Sequence, residues 1–225
     1  MSDIAPILAI AGKDLRQELR SRAVTVATVF FAAVTLLILA FAVGSRQDLL
    51  REMAPGALWV ALAFAGVISA AQSYAAEGED NAFEQLVLYP IPRASIYLGK
   101  LLSNWLYLIF LGLLLLPTVA VLFELPVAGE LPLLILTIVG GTFGFALIAT
   151  FYAALTTNLR ARESLLPVLM FPVVVPILLA AVRSTTALTH MGNPELARDW
   201  LQLLTGFDLV YLVVCSAIFK YVVDE

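Results

Sequence analysis

The sequence is poor in the residues on which most enzymes and metalloproteins depend. It contains one cysteine and one histidine, and only 13% of its residues are charged. The single Cys215 excludes a disulfide within the chain. His190 lies in the predicted outer loop, whereas Cys215 lies inside the last span, so no histidine–cysteine metal site is expected. Gly12-Lys13 is followed by Asp14, where a phosphate-binding loop needs serine or threonine. We therefore expect no nucleotide hydrolysis and no bound metal or cofactor in this chain.

Apolar residues are abundant instead, at 61% of the 225 residues, which is more than a soluble domain usually contains. About 20 uncharged residues allow a helix to cross the roughly 30 Å hydrocarbon core of a bilayer. The sixth apolar stretch contains Asp208, which we expect at the outer interface, in contact with water. We predict an all-α polytopic membrane protein, a single transmembrane domain over residues 1–225 with spans at about 23–43, 54–76, 101–123, 131–157, 164–182 and 201–221.

Lysine and arginine are distributed unevenly between the two sides of the predicted bundle. With six spans, both termini lie on one side, and most of the 13 basic residues fall there: Lys13, Arg16, Arg20, Arg22, Arg93, Lys100, Arg160, Arg162 and Lys220. The remaining four are Arg46, Arg51, Arg183 and Arg198. Because cytoplasmic loops carry the excess of basic residues, we expect both termini in the cytoplasm. The net charge of -4 and the lack of a basic stripe argue against nucleic-acid binding.

An amphipathic helix is predicted before the first span. Its apolar residues recur at spacings of three and four, with charged residues between them, a pattern typical of helices that lie on a membrane surface. One interpretation is a helix that only leads into the first span; an equally weighted one is an elbow helix that also braces a partner protein. The apolar positions are Ile4, Ile7, Leu8, Ala11, Leu15 and Leu19.

The connection between the second and third spans is acidic and compact. Asn81 and Glu84 have capping-box spacing, which predicts a short helix from about Ala82, and Pro90 ends it. Two helical turns are marginal in water without a surface to pack on. We predict a plug that fits a groove on a cytoplasmic partner, against the alternative of a loop folded onto the protein's own helix ends. The contact residues would be Asp80, Asn81, Phe83, Glu84, Gln85, Leu86, Val87, Pro90 and Pro92. A tight connection containing Arg160 and Arg162 is a candidate second contact.

Two patterns within the spans concern helix packing. Closely spaced glycines favour close helix approach, and we prefer packing within the chain to dimerisation; they are Gly140, Gly141 and Gly144. The fifth span should be kinked or broken by Pro167, Pro172 and Pro176. After it, we expect the longest outer loop, over residues 183–199.

No energy source is visible in the chain itself. The middles of the first five spans carry no charged residue. They therefore show no series of ionisable side chains of the kind that relays protons or ions in ion-coupled transporters. Paired carboxylates and Ser/His pairs are also lacking, which disfavours an intramembrane enzyme. A spanning bundle with a partner-shaped cytoplasmic segment suggests a permease subunit driven by a separate ATPase.

Three motifs, in this order, resemble the haem exporter protein B family over about residues 10 to 190. They are Lys13-Asp14-Leu15-Arg16-x-Glu18-x-Arg20; Ala54-Pro55-Gly56-x-x-Trp59; and Asp80-x-x-Phe83-Glu84-Gln85-Leu86 followed by Pro90-Ile91-Pro92 and Lys100. The last 35 residues look divergent.

The resemblance implies the membrane permease subunit of the ABC transporter of cytochrome c maturation, in a bacterial inner membrane. It implies a homodimer with two copies of a cytoplasmic ABC ATPase, further membrane subunits and a haem chaperone. ATP with Mg²⁺ would bind to the ATPase, haem would be handled by the wider complex, and residues 80–92 would form the coupling helix. Two alternatives are an ABC permease that exports another hydrophobic molecule and a non-transporting assembly subunit of a respiratory complex.

Overall fold

The computed structural model describes residues 4–44, 46–78, 92–125, 129–156 and 162–223. Within these ranges the chain is helical and contains no strand. Helices α2 to α7 are each long and apolar enough to cross a membrane, which confirms the predicted all-α fold with six spans. The helices are α1 (Ile4–Ser21), α2 (Ala23–Val43), α3 (Gln47–Gly78), α4 (Arg93–Leu122), α5 (Leu131–Thr156), α6 (Arg162–Thr189) and α7 (Pro194–Val223).

The bundle is built around α5, which packs against α3, α4, α6 and α7. Helix α2 lies at the edge: it packs mainly on α3 and leaves large apolar side chains such as Phe30 and Phe41 exposed, as expected for a helix in contact with lipid. We call the end of the bundle where α3 ends and α4 begins the α1 end, because α1 packs there against α4.

Helix α1 is separated from α2 by a sharp break. Arg22 adopts a left-handed conformation with φ 54°, which a residue with a side chain adopts only occasionally. The helix axis therefore changes direction at this residue, and the predicted N-terminal helix is a separate element.

Helices α6 and α7 extend further than the uncharged stretches from which their spans were predicted. Helix α6 continues through Arg183, and α7 begins at Pro194, so the outer loop expected over residues 183–199 is reduced to a turn at residues 190–193. Asn193 caps α7, since its Oδ1 accepts the N–H of Leu196 at 3.0 Å. The prediction of a longer loop was wrong because charged residues end a hydrophobic stretch without ending a helix.

The three prolines of the fifth span lie inside one continuous helix, α6. A proline removes one backbone hydrogen bond and crowds the preceding turn, but the helical conformation continues past each of them. Of the two outcomes expected for this span, a kink or a break, the break is not observed, since one helix runs from Arg162 to Thr189.

Side chains of neighbouring helices in the same chain fill the space beside the glycines of α5. The ring of Trp59 packs on Gly141, Leu204 lies 3.1 Å from the position of a Cβ on Gly140, and Asp208 packs on Gly144. These contacts support the interpretation that the glycines serve packing within the chain.

Candidate functional site

The predicted partner contact falls mostly outside the described residues. This holds for Asp80, Asn81, Phe83, Glu84, Gln85, Leu86, Val87 and Pro90, and for Arg160. Pro92 directly precedes α4, is exposed, and accepts the N–H of Ser95 on its carbonyl oxygen at 2.9 Å. Arg162 is the first residue of α6, and its side chain is outside what the structure describes. The contact itself therefore stays a prediction, while the helices on either side of it are defined.

A buried lysine joins the two helices that flank residues 79–91. Lys100 in α4 has no exposed surface, and its Nζ donates to the carbonyl oxygen of Ser73 in α3 at 2.8 Å. The ammonium group also lies 3.5 Å from Oδ2 of Asp14 in α1 and 4.6 Å from the centre of the Tyr74 ring, within the range of a cation–π contact. Removing an ammonium group from water is costly unless it is paired and hydrogen-bonded, and these groups supply that compensation.

Helix α1 packs closely on α4 beside this lysine. A Cβ on Gly99 would lie 2.8 Å from Cβ of Ile10 and 3.1 Å from the carbonyl oxygen of Ile7, so the two helices can approach only because residue 99 is glycine. Ile10 is buried, whereas Leu8 is 58% exposed. The predicted apolar stripe of α1 is thus divided: one face packs on α4, and a neighbouring face is available to lipid.

A cavity of about 210 Å³ lies between α1 and the adjoining parts of α2, α3 and α4. Most of the residues that line it have a polar side chain, so water bound there would find hydrogen-bond partners. The side chains that line it include Asp14, Gln17, Glu18, Gln72, Asn104 and Tyr107.

A set of buried side-chain hydrogen bonds continues from this cavity into the bundle. Asn104 accepts from Ser69 at 3.2 Å and donates to Thr150 at 3.0 Å, so one amide joins α3, α4 and α5. Thr28 in α2 pairs with Tyr107 in α4. These residues could not be identified from the sequence, because isolated serine, threonine and asparagine residues in apolar helices give no sign of which neighbour they bond.

Asp208 is buried, contrary to the expectation of a hydrated position at the outer interface. It lies near the middle of α7 and is 6% exposed. Its Oδ1 packs on Gly144 near the middle of α5, close to Ile177 of α6, and this oxygen has no hydrogen-bond partner among the described residues. The interfacial position was wrong because α7 begins earlier than predicted, so that Asp208 falls at mid-helix instead of near an end.

The single histidine and the single cysteine lie in different parts of the structure. His190 is exposed in the turn that follows α6, and its backbone N–H donates to Thr186 at 2.9 Å. Cys215 is buried in α7. No group of three or more metal-ligating side chains occurs in the described ranges.

Comparison with known proteins gives consistent matches along almost the whole chain. The family model described as CcmB protein matches residues 5–223, which extends beyond residue 190, where the resemblance in the sequence analysis ended. Heme exporter protein B of Pseudomonas aeruginosa is 32% identical over 210 residues, 93% of this chain and 92% of the relative. The proteins of the same name from Rhodobacter capsulatus and Paracoccus denitrificans are 30% and 29% identical, over 76% and 80% of this chain and 78% and 81% of the relatives.

Proposed function

This chain belongs to the CcmB protein family, and we propose from this membership that it is the permease subunit of a haem export system that serves cytochrome c maturation. The observation that carries the proposal is the family match over residues 5–223. The six membrane-spanning helices are the architecture that such a subunit requires. The chain is thus a multi-pass membrane protein, and its contribution is movement of helices instead of chemistry.

Energy would come from a separate cytoplasmic ABC ATPase that binds ATP and Mg²⁺. Support for this part comes from the sequence, in which Gly12-Lys13 lacks the serine or threonine and the upstream glycine of a phosphate-binding loop. Haem would be handled by the wider complex, including other membrane subunits and a haem chaperone, and this chain would bind no cofactor itself.

The ATPase would contact residues 80–92. The support is local: α3 and α4, which flank this segment, are joined by the hydrogen bond from Lys100 to Ser73. A push on the segment would therefore reach two spanning helices together. Arg160 and Arg162 would form a second contact at the same end of the bundle, where α6 begins.

The α1 end would face the cytoplasm of a bacterium, in its inner membrane, with both termini on that side. The excess of lysine and arginine at this end supports the orientation. Two copies of the chain would combine with two ATPase subunits, since ABC transporters couple a dimer of ATPases to a pair of membrane domains.

Deleting the gene in its own host tests the function. We expect c-type cytochromes, measured by haem staining of membrane proteins, to disappear while b-type cytochromes remain, and a plasmid copy to restore them. A copy with Glu124→Gln is the matched control, because Glu124 lies in an exposed ion pair with Arg51 at the opposite end and should restore c-type cytochromes fully.

Two results would contradict the proposal. Normal c-type cytochromes in the deletion strain would favour a permease for another hydrophobic molecule. Loss of b-type together with c-type cytochromes would favour an assembly subunit of a respiratory complex.

A further inference from the structure

Lys100 occupies a position where three separate parts of the chain meet. Its Nζ donates to the carbonyl oxygen of Ser73 at 2.8 Å and approaches Oγ of the same serine at 3.4 Å. Ser73 lies shortly before the end of α3, and Lys100 lies shortly after the start of α4. The hydrogen bond therefore closes the base of the connection that contains residues 79–91.

The third part is α1, which reaches the same ammonium group through Asp14. Oδ2 of Asp14 lies 3.5 Å from Lys100 Nζ and accepts from Ser103 at 3.4 Å. Beside this contact, Ile10 packs on Gly99 without room for a side chain. Asp14 and Lys100 belong to the first and last of the sequence motifs, so the fold brings together two motif residues that are 86 positions apart.

The far end of α1 is attached to α2. Oε1 of Glu18 accepts from the backbone N–H of Thr25 at 2.7 Å and from its hydroxyl at 2.6 Å. These bonds span the break at Arg22, so α1 and the beginning of α2 are held together although the helix is interrupted. Helix α2 has few other attachments, since it packs mainly against α3.

We propose that Lys100 is a positioning residue that makes α1 move as one unit with α3 and α4, the helices that flank residues 79–91. Movement of residues 80–92, the proposed ATPase contact, would then reach α2. The contacts form a continuous route, from Ser73 and Lys100 to Asp14, along α1 to Glu18, and from Glu18 to Thr25. A buried ammonium group is suited to this task, because separating it from its partners would leave an uncompensated charge. The three segments therefore move together more readily than they separate. The inference rests on the proposed function, in which residues 80–92 contact an ATPase.

The variant Lys100→Met removes the ammonium group and retains most of the apolar side chain. Asp14 borders the cavity and is 14% exposed, so its carboxylate can be hydrated in the variant. Residues 80–92 are unchanged, and we expect the ATPase to co-purify in the wild-type amount. The yield of c-type cytochromes and the stimulation of ATP hydrolysis by the membrane subunit should both fall about tenfold, a size typical of coupling between sites.

A disulfide provides the rescue that separates a positioning role from any other role of the lysine. Ile10→Cys and Gly99→Cys together would join α1 to α4 covalently, in a chain that also carries Cys215→Ala. Their Cβ atoms must separate by about 1 Å to reach disulfide geometry. Oxidation should restore coupling in Lys100→Met, measured as the stimulation of ATP hydrolysis by the membrane subunit. Reduction of the same protein should abolish this stimulation again. In the chain that retains Lys100, the disulfide should leave coupling unchanged, because α1 and α4 already move together.

The outcomes separate this inference from the function on which it rests. If Lys100→Met assembles with normal coupling, or if the oxidised disulfide fails to restore coupling, Lys100 does not act by positioning α1, while the permease function is unaffected. If no ATPase co-purifies with the wild-type chain, the proposed function fails, and the inference fails with it. Should Lys100→Met not assemble, Glu18→Ala interrupts the same route at a partly exposed residue; normal coupling in that variant would overturn the inference, and an intact complex with weakened coupling would support it.

Discussion

The carboxyl group of Asp208 in α7 packs directly on Gly144 in α5, near the midpoints of both helices. Oδ1 of Asp208 occupies the space that a side chain at residue 144 would fill, and Cδ1 of Ile177 lies 2.9 Å from the same position. Carboxyl groups are rare in the middle of membrane helices, where they usually face the bundle interior. The glycine is what allows this one to be enclosed by protein.

We expect Gly144→Ala to lower the stability of the bundle. The new methyl group would overlap the carboxyl group of Asp208, and overpacking of this kind costs about 1–3 kcal/mol. Thermal unfolding in detergent, followed by circular dichroism, measures the effect. The matched control is Gly206→Ala in α7, where an added Cβ meets no atom within 4 Å. That change should leave the protein equally stable or stabilise it by up to about 1 kcal/mol through helix propensity.

The penalty at residue 144 should depend on Asp208. In an Asp208→Ala background the carboxyl group is gone and Cδ1 of Ile177 remains near the added methyl group, so Gly144→Ala should cost less than in the wild-type chain. The double-mutant cycle should give a coupling energy of about 0.5–3 kcal/mol, as found for residues in direct contact. Additive effects of the two substitutions would contradict the contact.

The six spanning helices could be predicted from the sequence because uncharged runs of sufficient length have few alternatives in a membrane. The helix ends could not, because Arg183 and its neighbours continue α6 beyond the apolar run. The interfacial position expected for Asp208 depended on the predicted start of the last helix, and it was wrong for the same reason. The pairing of Asp14 with Lys100 was also out of reach, since both residues stand out as motif members but no local pattern indicates which helices meet.

Asn104 should be important for the attachment of α4 to its neighbours. Asn104→Ala removes the hydrogen bonds to Ser69 and Thr150 and leaves a cavity, which should cost about 2 kcal/mol from lost interhelical hydrogen bonds and packing. Asn104→Leu fills the volume, and the two hydroxyl groups can turn to carbonyl oxygens of their own helices, so this variant should be less destabilised. Thermal unfolding of both variants checks the order; equal losses would show that the hydrogen bonds dominate over packing.

Trp59, a residue of the second motif, should serve stability instead of partner contact. It is 2% exposed, and its Nε1 donates to the hydroxyl of Thr185 in α6 at 3.0 Å. Trp59→Phe removes this hydrogen bond and leaves a gap, at a cost of about 2 kcal/mol, and the midpoint of thermal unfolding should fall. The amount of co-purified ATPase should be unchanged. Trp200→Phe is the control, because Trp200 is only partly buried and should tolerate the change better.

The most direct measurement is co-purification of the ABC ATPase with a chain that carries Phe83→Asp. A charge at Phe83, one of the predicted contact residues, should prevent the short helix predicted between Ala82 and Pro90 from entering a groove on the partner, while the spanning helices remain intact. Met191→Asp is the matched control, since Met191 is 58% exposed in the turn between α6 and α7, at the opposite end of the bundle. We predict that the ATPase is lost with Phe83→Asp and retained with Met191→Asp. An intact complex with normal c-type cytochromes in the Phe83→Asp strain would contradict the account.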